Sequence, residues 1–159
     1  MKRRILGWAV ALFFLTTTAA VAQSMEGMDH GAHQSSAQNG MEMGGTMIVL
    51  GNDTQEGITA MAHLRDIQAA MAKLGMDKTH HFMVMFKDMA SGKDLSDGLV
   101  AVKVVDPSGK KHEAVKLMAM DGSFGADVAL SQKGTYRFEV GAKFANGVKR
   151  QFSFQYTKP

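Results

Sequence analysis

Cysteine is absent from the 159 residues. No disulfide can brace the fold, no thiolate can serve as nucleophile or ligand, and soft-metal chemistry falls to methionine and histidine. A surplus of one charge is also missing once the first residues are set aside. The chain holds 18 Lys and Arg against 15 Asp and Glu, and Lys2, Arg3 and Arg4 supply that whole excess. The remainder is balanced, which removes the electrostatic case for nucleic acid or an anionic membrane surface as a partner. Catalytic signatures are lacking too: there is no G-x-S-x-G elbow, phosphate-cradling glycine loop or H-E-x-x-H. An enzyme is not expected.

The three cations open a segment with the parts of a secretory signal peptide. An apolar stretch runs from Ile5 to about Leu15, and Ala20-Val21-Ala22 forms a small-x-small cleavage site before Gln23. Thr16, Thr17 and Thr18 cut the apolar run below the roughly 20 residues of a membrane span. Residues 1–22 therefore read as a cleaved leader, and the expected location is the periplasm or the medium. No other segment is long and apolar enough to span a bilayer.

Methionine is what the chain has in excess, with 14 residues of which only Met1 belongs to the leader. Residues 23–46 carry Met25, Met28, His30, His33, Met41 and Met43 among Gly, Ser and Gln, with no branched aliphatic or aromatic residue. Such a segment cannot bury enough apolar surface to offset its chain entropy, and it reads as a disordered tail.

From residue 47 to 159 short alternating segments are separated by turn signals. Strands are expected at 47–51, 57–65, 79–87, 99–105, 112–120, 124–130, 135–144 and 148–156, with a loop at 52–56 and a short helix at 66–75. Residues 58–65 also fit a helical pattern. Asp106-Pro107-Ser108-Gly109 has the chemistry of a type I turn. A three-residue loop of Ala145, Asn146 and Gly147 sets Val140 opposite Phe152, Phe138 opposite Phe154 and Tyr136 opposite Tyr156, with the large apolar residues on one face. A two-residue loop would mix the faces. Together these features predict an all-β domain, an immunoglobulin-like antiparallel β-sandwich with one short helix.

Alternation divides each strand into two faces. Phe82, Val84 and Phe86 form a core face, which leaves His81, Met83 and Met85 on the other. Met61 and His63 oppose Ile58, Ala60, Ala62 and Leu64, and His112, Met118 and Met120 oppose Val115, Leu117 and Ala119. One explanation is a second buried layer of gap-filling methionine. The other is a metal site. Thioether and imidazole donors without cysteine suit copper, Cu(I) above all, and the candidate ligands are Met61, His63, His81, Met83, Met85, Met118 and Met120 with the six tail residues.

Asp88 to Lys93, Val100 to Gly109 and Gly134 to Tyr136 form a D-x-x-x-G-K turn, a V-x-V strand ending at a Pro-x-Gly turn, and a late G-x-Y strand. In these elements, over about 80 residues, the chain resembles the periplasmic YtkA-like and FixH-like sandwiches. That resemblance implies an extracytoplasmic immunoglobulin-like fold and a partner among copper exporters or oxidase-assembly proteins, and it supplies no ligand residues. His81-Phe82-Met83 also has the His-x-Met of periplasmic copper chaperones, but Thr59 stands where their upstream Met would fall, so their ligand set does not transfer. The expected function is metal buffering or delivery, against a metal-independent module that docks a partner through its methionine face.

Overall fold

An alternating strand presents one apolar face, and that face is buried only when a second layer covers it. The computed structural model describes residues 45–159, so the leader and all but the last two residues of the tail lie outside the described part. Eight strands form there: β1 (Met47–Gln55), β2 (Ile58–Asp66), β3 (His80–Asp88), β4 (Gly98–Val105), β5 (Val115–Met120), β6 (Ser123–Val128), β7 (Gly134–Phe144) and β8 (Lys149–Lys158). All neighbours are antiparallel, in the order β1-β2-β3-β6-β5-β4-β7-β8. Strand β5 changes partner midway. Its Val115 to Leu117 pair with β4 and its Met118 to Met120 with β6, which folds the ladder into two layers.

The layers β2-β3-β6-β5 and β4-β7-β8 have the strand order of an immunoglobulin constant-type sandwich, with β1 added at one edge. Between them Phe82 of β3 stacks on Phe138 of β7, with ring centroids 5.1 Å apart and planes 11° from parallel. Phe86 meets Phe144 at 5.1 Å and Phe152 at 5.3 Å. Antibody domains join the strands equivalent to β3 and β7 with a disulfide, the second cysteine two residues after a corner tyrosine. Here Tyr136 is that tyrosine, and Phe138 occupies the cysteine's place.

Tyr136 closes the corner with its hydroxyl, which donates to Gln132 O at 2.9 Å and accepts from Gln132 N at 2.7 Å. Both bonds vanish in Tyr136→Phe while the ring stays packed. A loss of about 1–2 kcal/mol in urea unfolding is expected. An unchanged midpoint would mean that packing alone holds the corner.

The last hairpin has the register expected for a three-residue loop: Val140 pairs with Phe152, Phe138 with Phe154 and Tyr136 with Tyr156, and Gly147 has φ +84°. Residues 58–65 are strand. The first hairpin differs from expectation, because β1 runs on to Gln55 and the turn is only Glu56-Gly57, with φ of 45° and 80°. A register shift between Val49 and Gly51 breaks the alternation that would have marked these residues as strand, while the Thr54 and Thr59 hydroxyls, 2.8 Å apart, tie the far end across the pair.

The helix is also shorter than expected, covering Gln68–Lys73. Asp66 stays in β2 and accepts the Gln68 N–H through its side chain at 2.9 Å, which delays the helix start. At the other end Met76 N bonds Met71 O and Gly75 N bonds Ala72 O, a Schellman stop with Gly75 at φ +69°. Ile67 and Met71 are buried, but Leu74, the C-cap just before Gly75, is exposed. Strand β5 begins at Val115 rather than His112, because His112 is drawn back to the preceding turn: its N–H bonds Val104 O, and its Nε2 lies 3.2 Å from Asp106 Oδ2. His112 therefore does not share the face of Met118 and Met120.

Candidate metal centre

The tight Asp121-Gly122 turn, with φ of 41° and 79°, joins β5 to β6 and sets Met118 opposite Gly125 and Met120 opposite Ser123. On the other side of β6, β3 places Met83 opposite Gly125 and His81 opposite Asp127. Directly opposed residues are about 5 Å apart and diagonal ones remain within reach of long side chains. Gly125 is thus flanked by Met83 and Met118, with His81 and Met120 on its diagonals. A Cβ built on Gly125 would lie 2.7 Å from His81 Nε2 and 2.9 Å from Met120 Cε. Four of the expected ligands therefore surround one backbone position on the outward face of the sheet.

His81 is held in place by its other nitrogen. Nδ1 lies 2.6 Å from Asp127 Oδ1, in a pair whose side chains are only 16% and 30% exposed. A carboxylate only accepts, so Nδ1 carries the proton and donates, and in the neutral ring Nε2 keeps a free lone pair. That nitrogen is the His81 atom that reaches over Gly125. Orientation of a ligating imidazole by a carboxylate is a recurrent feature of metal sites.

His63 and Met61 of β2 continue the face toward β1, His63 opposite Met83 and Met61 opposite Met85. The pair of Met61 and Met85 is one step along the strands, away from Gly125. These methionines and His63 are half-buried, whereas Met118 is 71% and Met120 41% exposed. Among the described residues no second layer buries Met118 and Met120. Met25, Met28, His30, His33, Met41 and Met43 lie outside the described residues.

Gly125 and Asp127 were not among the residues expected at the site. Alternation in β6 does put both opposite Phe124 and Val128, but only the pairing of β3 with β6 brings them beneath His81 and Met83. Among the described residues no three His, Asp or Glu side chains converge on a common point. The donor set is soft, with one imidazole and thioethers.

No family model matches the chain, and no curated protein does. Among solved structures, the crystal structure of a DUF4426 family protein from Pseudomonas aeruginosa PAO1 is similar at a TM-score of 0.48 and 17% identity, over 67% of this chain and 91% of that one.

Two other features are distinct from this centre. A groove of about 730 Å³ crosses the outer face of the other layer, bordered by Lys103, Glu139, Gly141 and Ser153. Its Glu139 is already paired, with Lys111 at 3.3 Å and Arg137 at 3.1 Å. His80, beside the centre in sequence, points the opposite way and is buried against Tyr156. Its Nδ1 lies 2.8 Å from Thr79 Oγ1.

Burial lowers the pKa of His80 from its ordinary 6.5, against an opposing pull from Asp66 and with help from Lys158. The unfolded chain then binds more protons than the folded one just below pH 6.5, so this contribution to stability is complete above that pH and is lost as pH falls. Urea unfolding is expected to weaken from pH 7.5 to 5, and His80→Phe, which can keep the contact with Tyr156, should flatten that dependence. Parallel pH profiles for the two proteins would show that His80 is not the group responsible.

Proposed function

We propose that this protein is a non-enzymatic, extracytoplasmic Cu(I)-binding protein that buffers or delivers the ion. The observation that carries this reading is the convergence of His81 Nε2 and the end of Met120 over Gly125, with Met83 and Met118 on either side. One imidazole and several thioethers make a soft donor set, which favours Cu(I) over magnesium, calcium or a structural zinc ion. The signal-peptide pattern of residues 1–22 supports a location in the periplasm or medium. Met118 and Met120 are exposed, which would leave the ion approachable from solvent on their side, so an acceptor's ligands could replace this protein's one at a time.

The exposed methionines also suit docking of an apolar partner without metal. His81 favours the metal reading. An apolar docking face gains nothing from a half-buried imidazole whose lone pair is turned toward the patch, since an unmade hydrogen bond there is unfavourable. The direct test is anaerobic competition against a chromophoric Cu(I) chelator, in which the protein is expected to withdraw the ion. Inability to compete with even a weak chelator would end the Cu(I) reading.

A further inference from the structure

Gly125 has no conformational reason to be glycine. Gly122 and Gly134 have φ of +79° and +120°, but Gly125 is outside that left-handed range, and any side chain could adopt its backbone. Glycine inside a strand lowers stability and often marks a close approach of another group. The groups that approach here are the two that would clash with a Cβ: the donor nitrogen of His81 and the methyl carbon on the donor sulfur of Met120. Gly125 faces outward and has no side chain, yet it is buried, because these tips cover it.

We infer that Gly125 is the seat over which the ion is held, and that Asp127 is a positioning residue that aims the His81 lone pair at this seat. The inference rests on the Cu(I) reading and deepens it. The ligand class is a soft monovalent cation, Cu(I) or Ag(I), held from one side by His81 Nε2 and by the thioethers of Met120, Met83 and Met118. Asp127 acts through His81 rather than on the ion: its Oδ1 accepts the His81 Nδ1–H at 2.6 Å, and a hard carboxylate oxygen is a poor match for a soft monovalent cation. Without that acceptor the ring can carry its proton on Nε2, which turns a donor into a blocked position.

Two variants of the full mature chain test this. In Gly125→Ala the atoms nearest the new methyl are side-chain atoms, the edge of the His81 ring and the end of Met120, and not backbone, so the circular dichroism spectrum should be retained while both side chains are pushed from the seat. Asp127→Ala removes the orienting acceptor. Each is expected to bind Cu(I) about 10- to 100-fold more weakly than wild type in chelator competition, and Ag(I) should follow the same order. Separately, ¹⁵N NMR of the metal-free protein should show His81 as the Nδ1–H tautomer in wild type and a shift toward Nε2–H in Asp127→Ala.

A merely structural Asp127 would change stability and leave the tautomer alone, and that result overturns its positioning role. Wild-type affinity in folded Gly125→Ala overturns the seat. If wild type itself binds neither ion, the Cu(I) reading and the seat fall together. The metal-free tautomer measurement still decides whether Asp127 orients His81.

Discussion

Phe138→Ala is expected to lower the unfolding free energy by about 3–5 kcal/mol, the range for removing a large aromatic ring from a packed core. Phe138 is fully buried, and its ring is stacked on Phe82 of the opposite layer at 5.1 Å. Burial of the ring accounts for roughly 1.5–3 kcal/mol, the stacked pair for about 0.5–1.5 more, and the cavity left behind for the rest. A domain of this size has only about 5–15 kcal/mol in total. In a sandwich without cysteine, this pair stands where related architectures place their inter-layer disulfide, so nothing covalent limits the damage. Urea unfolding followed by circular dichroism measures the effect. Phe138→Leu, which keeps more of the volume, should lose clearly less, and equal losses in the two variants would remove the special role of the stack.

Replacing Met83, Met118 and Met120 together by leucine is expected to weaken Cu(I) binding by more than about 100-fold, beyond what loss of an outer-shell partner alone brings. Leucine keeps nearly the same volume and apolar surface and costs little stability at such positions, so the sulfur atoms are what the triple variant removes. It therefore separates two functions that an alanine variant would confuse. A face that docks an apolar partner survives the change to leucine; a face that binds a soft cation does not. Retained Cu(I) affinity in the triple variant would move the site elsewhere, to His63, Met61 and Met85 or to the residues before Met47.

Several features of this fold were legible in the sequence because they are local. The β7–β8 register followed from the spacing of Tyr136, Phe138, Val140, Phe152, Phe154 and Tyr156, which allows one loop length to put all of them on one face. Alternation in β3 separated Phe82, Val84 and Phe86 from His81, Met83 and Met85, and the burial follows that division. Where local pattern was disturbed, the reading failed. The shift near Gly51 hid the far half of β1, and the Asp106 turn drew His112 out of β5.

By itself the sequence determined which side-chain types are present, the strand faces of Met61, His63, His81, Met83, Met85, Met118 and Met120 though not of His112, and the absence of any thiol. It could not place those faces beside one another. The bond from His81 to Asp127 spans 46 residues, and the ring of donors around Gly125 requires β6 to lie between β3 and β5. Alternation within a strand reports only which side of a sheet a residue occupies. Which strands become neighbours is decided by burial of the whole core, and that decision alone turned Gly125 from a strand glycine into the floor of a candidate site.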